Sequence, residues 1–254
     1  MFDESNMKKN VIGLEDLNTK IYRIFPLDRF LDMFYKGENV LVNPSKWEDP
    51  FENFLLKGNA EMPDGNLVSL SQLYQSWYGQ CWTRNRDSDA MWRIYSANKT
   101  GVRVETTVGS LFSNFYNSSD KFASLKYFIG SVEYWQKEEI ERFLKETTFT
   151  GFVFDDPPPK LAKALLIKRQ EFSHENEVRL IFQDVSQDGA GQHGKDGFVS
   201  FKFPWSEILT EIAFDPRLSE SDYEEERRKL ISLGCGVNIT QSELYKFTPI
   251  NIKL

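Results

Sequence analysis

Alternating apolar and polar residues predict strands along most of this chain. Residues 20–25, KIYRIF, alternate and then meet Pro26, which predicts a strand with a sharp end. Further strands are predicted at 39–42, 80–83, 102–107, 126–135, 178–182, 198–203 and 208–214. The strands at 178–182 and 198–203 are predicted to form a long hairpin around the glycine-rich loop 186–197.

Apolar residues at helical spacing predict helices between these strands. The helices are expected at 29–35, 69–79, 89–95, 136–145, 160–167 and 219–233. Asp28 would cap the first of them and Gly37 would end it, while Ser88 would cap the helix at 89–95 and Gly101 would end that one. With no repeat and no long linker, residues 1–254 are expected to form a single α+β domain with a mixed, mostly antiparallel sheet and flanking helices.

Charge, cysteine content and hydropathy narrow the classes of function. The net charge of −7 means that a nucleic-acid partner would need a local basic patch, for which Lys160, Lys163, Lys168 and Arg169 are the candidates. Two cysteines far apart in sequence exclude a disulfide framework and a zinc site of closely spaced thiolates. Without a signal peptide or an 18-residue apolar stretch, the expected location is the cytoplasm, with no membrane partner.

Conventional catalytic motifs give little guidance. Neither His174 nor His193 anchors a recognisable metal site, so no metal is predicted, and no Gly-x-Ser-x-Gly nucleophile motif occurs. A more informative pattern is Glu175-Asn176-Glu177-Val178-Arg179, in which two carboxylates at i and i+2 would point to one side at the start of a strand. That pattern fits a solvated strand edge, or a pair that binds a ligand bearing hydroxyl or cationic groups.

The order of several motifs resembles a bacterial family of unknown function, the domain of unknown function 2971 family. The matching residues are Tyr22-Arg23, Asp49-Pro50-Phe51-Glu52, Met91-Trp92-Arg93-Ile94-Tyr95, Gly101-Val102 and Glu175-Asn176-Glu177-Val178-Arg179, so the resemblance spans about 22–179 and leaves 198–254 as C-terminal strands and a helix. The same order is similar to the ADP-ribosyltransferase fold. That similarity implies a split-sheet core and NAD as a substrate.

The resemblance also implies roles for individual residues. Glu177 would be the catalytic carboxylate that hydrogen-bonds the ribose, and Glu175 would orient the acceptor. Arg23, next to Tyr22, would hold the pyrophosphate or the adenosine ribose, and Thr83 would position the nicotinamide ribose. Trp92 or Tyr95 would stack on nicotinamide. The sequence Cys81-Trp82-Thr83 departs from the Ser-Thr-Ser of well-known ADP-ribosyltransferases.

Three functions therefore compete. The first is an NAD-dependent ADP-ribosyltransferase that modifies RNA, DNA or protein, as a toxin or antiphage defence effector with an inhibitory antitoxin protein as a candidate partner. The second is a non-catalytic protein-interaction module in a defence or regulatory complex, which would tolerate Glu177→Gln. The third is a Mg²⁺-dependent nuclease built on Asp49, Glu52, Glu175 and Glu177. The role of the Asp49-Pro50-Phe51-Glu52 loop is left open.

Overall fold

A computed structural model describes residues 4–47, 49, 52, 59–61, 64–69, 75–146, 160–184 and 194–249. The strands are β1 (Val11–Ile12), β2 (Lys20–Phe25), β3 (Glu38–Val42), β4 (Asn59–Glu61), β5 (Leu67–Ser69), β6 (Trp77–Thr83), β7 (Val102–Thr107), β8 (Tyr127–Ser131), β9 (Glu133–Trp135), β10 (Ile167–Arg169), β11 (Glu177–Gln183), β12 (Gly194–Lys195), β13 (Phe198–Lys202), β14 (Glu211–Phe214) and β15 (Asn238–Gln241). The α-helices are α1 (Glu4–Lys9), α2 (Leu27–Lys36), α3 (Asp89–Tyr95), α4 (Val108–Phe115), α5 (Ala123–Lys126), α6 (Lys137–Glu146), α7 (Lys160–Ala164), α8 (Trp205–Ile208) and α9 (Glu220–Ser232). Short 3₁₀ helices cover Pro44–Lys46 and Gln170–Glu175.

The main sheet has eleven strands and divides at β6. Its main path runs β1-β8-β11-β6-β2-β7-β14-β15, and a branch of β3, β13 and β12 leaves from β6. The pairs β1/β8 and β14/β15 are parallel and the other pairs of this sheet are antiparallel, which confirms the predicted mixed, mostly antiparallel sheet. β6 pairs with β2 where Tyr22 lies opposite Thr83, and with β3 where Val42 lies opposite Gly79. Because these bridges lie at different ends of β6, β2 and β3 diverge, and α2 joins them across the gap.

Apolar cores cover both faces of this sheet. On β11, Val178 and Leu180 belong to the larger core, whereas Ile181 belongs to a smaller core with Trp77 and Phe128. Each fully buried side chain of this size contributes roughly 1.5–3 kcal/mol to folding. Since side chains alternate along a strand, the charged residues at 177 and 179 share the face of Ile181.

Two predicted helix boundaries are wrong for identifiable reasons. The residue that precedes α2 is Pro26, which offers no side-chain cap, and Asp28 lies in the first turn instead. Helix α3 ends at Tyr95 with Ser96 as its C-cap, so Gly101 does not end it. Gly101 precedes β7 at a point of close packing, where an added Cβ would lie 2.7 Å from Oγ of Ser96.

Several predicted elements also differ from the fold. The predicted hairpin of 178–182 with 198–203 is wrong, because β11 pairs with β6 and β8, while β13 pairs with β3 and β12. Strands β5 and β6 occupy the described ends of the predicted helix 69–79, since the buried aromatic residues there line a central strand. Helix α7 ends at Ala164 because 167–169 form β10, and the strand predicted at 208–214 begins only at Glu211.

Most of the predicted loop 186–197, including His193, lies outside the described residues. None of the helices in the described part of the chain combines the length and apolar character needed to cross a bilayer.

Candidate active site

The divergence of β2 and β3 opens a cleft with a narrow and a wide part. The narrow part has a volume of about 110 Å³ and is lined by Tyr22, Arg23, Ile24, Cys81, Trp82, Thr83, Met91, Tyr95 and Glu177. The wide part, of about 570 Å³, is lined by Arg23, Ile24, Phe25, Pro26, Arg29, Asp32, Met33, Lys36, Glu38, Val40, Val42, Gln80, Tyr95 and Phe198. Because Arg23, Ile24 and Tyr95 line both parts, the two form one bipartite cleft, of the size that small-molecule ligands occupy.

Arg23 stands at the junction of the two parts. Its Nη1 atom is buried and has no hydrogen-bond partner among the described residues. The guanidinium lies 4.8 Å from the ring centroid of Phe25, and burial lowers the pKa of Arg23. A buried cationic donor without a partner is costly, so this position favours an anionic ligand in the cleft.

A sharp turn positions the carboxylate of Glu177. Asn176 ends the 3₁₀ helix Gln170–Glu175 in the left-handed conformation, with φ of 46°, which Asn tolerates better than most residues. Arg84 holds this turn in place, since its main-chain N–H donates to the Asn176 carbonyl (3.0 Å) and its Nε donates to Oδ1 of Asn176 (2.9 Å). The turn brings Glu175 and Glu177 together, so the predicted i and i+2 pair on one strand is wrong, because Glu175 precedes β11.

Glu175 and Glu177 belong to a buried cluster of five charged side chains. Lys168 Nζ lies 2.8 Å from Oε1 of Glu52, 2.5 Å from Oε2 of Glu175 and 2.8 Å from Oε1 of Glu177. Arg179 donates from Nε to Oε2 of Glu177 (2.8 Å) and from Nη2 to Oε1 of Glu52 (2.6 Å). Each of the five residues is less than 10% exposed, so the solvated strand edge considered from the sequence is wrong.

The cluster shifts the pKa values of Glu175 and Glu177 in opposite directions. Burial and the neighbouring Glu177 raise the pKa of Glu175 to about 8. Burial alone would raise the pKa of Glu177 as well, but Arg179, Glu175 and Lys168 outweigh it and hold that pKa well below its usual range. At neutral pH Glu177 is therefore ionised and fixed, while Glu175 carries a proton.

The remaining predicted site residues fall into different places. Tyr22 and Thr83 line the narrow part, and Tyr95 lines both parts with a side chain that is 41% exposed. The Thr83 hydroxyl donates to the Glu175 carbonyl (2.5 Å) and accepts from the N–H of Asn85 (3.0 Å), so it holds the turn. Trp92 does not reach the cleft, because it is fully buried and donates to Oδ1 of Asp87 (3.0 Å).

The predicted basic patch does not form as a set of four. Lys168 is buried in the cluster, and Arg169 lies 3.2 Å from Oδ1 of Asp49. Lys160 and Lys163 lie on α7, beside a separate groove. A surface that could bind nucleic acid cannot rest on all four residues.

Sequence reasoning missed Lys168 and Arg179 as parts of the site, and it grouped Glu52 with Glu175 and Glu177 only in the nuclease hypothesis. Lys168 directly follows three apolar residues, Leu165-Leu166-Ile167, and a lysine at the end of an apolar run is the signal that could have marked it as buried. Arg179 stood in the quoted Glu-x-Glu-x-Arg motif, but it received no role. Among the described residues, no group of His, Cys, Asp and Glu side chains has the arrangement of a metal site.

A family model described as a protein of unknown function (DUF2971) matches residues 91–180, from α3 into β11. The family resemblance is confirmed over this stretch. It includes the Met91–Tyr95 and Glu175–Arg179 motifs, whereas Arg23 and Glu52 lie outside the matched residues.

Comparison with solved structures finds similarity to DarT from Thermus sp. 2.9. Its complex with NAD+ is 14% identical, with a TM-score of 0.40, and the alignment covers 92% of this chain and 100% of that one. Its complex with ADP-ribosylated ssDNA is 13% identical, with a TM-score of 0.39 and coverages of 93% and 99%. At these values the similarity assigns no activity to this chain. Comparison with curated proteins finds no match.

Proposed function

We propose that this chain is an NAD-dependent ADP-ribosyltransferase that modifies a macromolecule. One observation carries the proposal: a single cleft holds an arginine, Arg23, whose Nη1 donor is buried without a partner among the described residues, and a fixed, ionised glutamate, Glu177. NAD needs both, because its pyrophosphate is anionic and its nicotinamide–ribose bond breaks through a cationic transition state.

The bipartite shape of the cleft suits the two halves of NAD. The narrow part, next to Glu177, would take the nicotinamide riboside. The wide part offers apolar walls at Met33, Val40, Val42 and Phe198, and it would take the adenosine. Arg23 lies between them, where the pyrophosphate joins the two halves, and its guanidinium would bind the phosphate oxygens.

Glu177 would stabilise the charge that develops on the nicotinamide ribose. As the bond between C1′ and the nicotinamide nitrogen breaks, its electron pair leaves with nicotinamide and the ribose gains oxocarbenium character. An ionised carboxylate that accepts a hydrogen bond from a ribose hydroxyl lowers the energy of that state. The acceptor then bonds to C1′ and releases its proton to water.

The proposed role of Glu175 changes with its surroundings. Its carboxyl group is held by Lys168 and lies beside Glu177, and it does not line the cleft. A protonated carboxyl at this position supports Glu177 instead of orienting an acceptor.

The acceptor class is open among RNA, DNA and protein. Transfer of ADP-ribose to any of these would harm the host cell, which is the reason to propose a toxin or defence effector controlled by an inhibitory protein.

The structure does not support the Mg²⁺-dependent nuclease, because Lys168 Nζ lies between the carboxylates of Glu52, Glu175 and Glu177 that would bind the ion.

Transfer of label from radioactive NAD to cellular protein, RNA and DNA tests the proposal. The unaltered chain is compared with Glu177→Gln, and the matched control is Glu211→Gln. Glu211 is also buried and paired with an arginine, Arg103, but it lies on β14 outside the cleft. We expect label with the unaltered chain and with Glu211→Gln, and at least a hundredfold less with Glu177→Gln.

The same samples need a stability measurement, because Gln at 177 places an amide N–H₂ next to a lysine or an arginine. Thermal unfolding should show both variants folded at the assay temperature. Absence of label and of free nicotinamide with the folded, unaltered chain would reject the transferase and favour the interaction module.

A further inference from the structure

The Asp49-Pro50-Phe51-Glu52 motif has no role in the chemistry described above, yet both of its acidic residues reach the strands around Glu177. Glu52 contacts Lys168 (2.8 Å) and Arg179 (2.6 Å), and Asp49 contacts Arg169 (3.2 Å). The neighbouring cations 168 and 169 on β10 are thus bound by the two ends of one loop. Glu52 is buried, with 7% exposure, so its contacts are internal.

Trp47 connects the same loop to the cluster. The guanidinium of Arg179 lies 4.6 Å from the Trp47 ring centroid. Trp47 also lies against Gly79 on β6, where an added Cβ would come within 2.6 Å of the indole. The glycine thus lets the indole approach β6 closely, and Arg179 lies over the indole ring.

The cations of the cluster each contact at least two glutamates. Lys168 and Arg179 each hold a different oxygen of the Glu177 carboxylate, so two directions of motion are restrained. Both cations also contact the same oxygen of Glu52, Oε1. Without Glu52, two buried cations would share Glu177 as their ionised partner, since Glu175 is protonated at neutral pH.

We propose that Lys168 and Glu52 are positioning residues for Glu177: Lys168 fixes one carboxylate oxygen, and Glu52 supplies the countercharge that holds both cations in place. This inference rests on the proposed function for its link to catalysis. It makes Glu52 part of the active site, although Glu52 lies more than a hundred positions from Glu177 in the sequence.

Three uncharged titratable side chains of the described residues lie close to the two glutamates. Tyr134 on β9 accepts a hydrogen bond at Oη from the Glu177 N–H (2.8 Å), and Cys81 on β6 lies opposite Arg179. Tyr95 on α3 lies near both glutamates. Burial raises the pKa of Tyr134 and of Cys81 to about 12, and burial also raises that of Tyr95, so all three stay neutral where Glu175 titrates.

The proposal makes opposite predictions for its two residues. Lys168→Met removes a cation beside Glu175, so the titration of Glu175 moves to higher pH. Glu52→Gln removes an anion that neutralises the cations, so the titration of Glu175 moves to lower pH. A residue that only supports the fold would not produce shifts of opposite sign.

Carbon-13 NMR of glutamate carboxyl groups measures these titrations without any reaction. Spectra of the full chain are recorded from pH 4 to 10, and Glu175→Gln assigns the signal. Asp49→Asn is the matched control, since it changes the same loop but leaves the cluster contacts intact, and we expect the Glu175 titration to stay in place. Opposite shifts in Lys168→Met and Glu52→Gln support the proposal. Unmoved titrations, or shifts in the same direction, overturn it.

The link to catalysis has its own readout. With NAD as substrate, we expect Lys168→Met and Glu52→Gln to lower kcat at least tenfold and to change KM by less than about threefold, because neither residue lines the cleft. Equal loss of activity in Asp49→Asn would overturn the positioning role. If the unaltered chain does not cleave NAD, the proposed function fails, and the NMR shifts still decide whether Lys168 and Glu52 act with opposite sign on the charge of the glutamate pair. Should Lys168→Met not fold, Lys168→Arg keeps the charge, and we then expect the Glu175 titration to stay within half a pH unit while Glu52→Gln still lowers it.

Discussion

The protonated state of Glu175 should be visible in the stability of the protein. The pKa of Glu175 is raised from 4.5 to about 8 by burial and by the neighbouring Glu177. Between pH 5 and 7.5 the folded chain therefore binds one proton that the unfolded chain has released. Because the folded state binds more protons there, the free energy of unfolding falls as the pH rises, by about 1.4 kcal/mol per pH unit from this group.

Glu175→Gln removes this dependence while preserving the contacts. The amide oxygen can accept from Lys168 as Oε2 of Glu175 does, and the amide N–H₂ can donate to Glu177 as the protonated carboxyl does. Glu177 stays ionised throughout this pH range in both proteins, so it adds no slope. We expect the stability of the variant relative to the unaltered chain to rise by about 2.5 kcal/mol between pH 5.5 and 7.5.

Urea denaturation followed by tryptophan fluorescence gives this difference directly. Unfolding is measured every half pH unit from 5 to 9 at constant ionic strength, so that every other titrating group cancels between the two proteins. The difference should rise through neutral pH and become constant above about pH 8, once Glu175 has also ionised in the folded chain. Parallel curves over the whole range would show that Glu175 is ionised at neutral pH and would refute the reasoning.

Three further predictions test individual residues of the cleft. Arg23→Met should leave the free energy of unfolding unchanged or raise it by about 1 kcal/mol, because the variant loses a buried donor that has no partner among the described residues. Calorimetry should show that the variant binds NAD at least tenfold more weakly, and lower stability with unchanged affinity would contradict this prediction. Thr83→Val should lower the free energy of unfolding, measured by urea denaturation, by about 1–3 kcal/mol, because two hydrogen bonds to main-chain groups are lost. Thr83→Ser should keep most of that stability, and an equally unstable Ser variant would argue against a role for the hydroxyl. With Cys235 replaced by Ser, Cys81 should be alkylated far more slowly at pH 8 than free cysteine, because burial raises the pKa of Cys81 to about 12. Bound NAD should slow the alkylation further, since Cys81 lines the cleft. If mass spectrometry finds the rate of a free thiol, the placement of Cys81 is contradicted.

Local sequence signals predicted a large part of the fold. The strand at 20–25 ends at Pro26 as expected, and Gly37 ends α2 in the left-handed conformation, with φ of 59°. Ser88 and Ser219 cap α3 and α9 through hydrogen bonds to main-chain N–H groups. These features depend on residues that are neighbours in the chain, so a single sequence is enough to predict them.

Strand pairing depended on contacts that the sequence does not display. β11 looked like one arm of a hairpin with 198–203, because the two strands are close in sequence and a glycine-rich loop lies between them. The structure places β11 between β6 and β8, where both of its faces are covered by apolar cores. The same double burial explains why the aromatic start of β6 resembled a helix.

The sequence predicted the residues that line the cleft, but not all of the contacts between distant parts of the chain that hold Glu177. Tyr22, Arg23, Thr83, Tyr95 and Glu177 were selected from their motifs and do line one cleft. The nuclease hypothesis grouped Glu52 with Glu175 and Glu177, but the ion pairs that join these carboxylates to Lys168 and Arg179 could not be selected this way. Glu52 and Arg179 are 127 positions apart, and only the folded chain brings them into contact.

The energetic cost of the buried cluster argues for its function. Removing three carboxyl groups and two cations from water is expensive, and apolar residues of similar volume often stabilise a core at least as well. The formal charges, three negative and two positive, also leave one carboxyl group that stays neutral only by holding a proton at Glu175. A set of residues selected for stability alone would have no need of that third acid. Its effect is to leave Glu177 ionised, held by two cations and directed at the narrow part of the cleft, which is the state that the proposed chemistry requires.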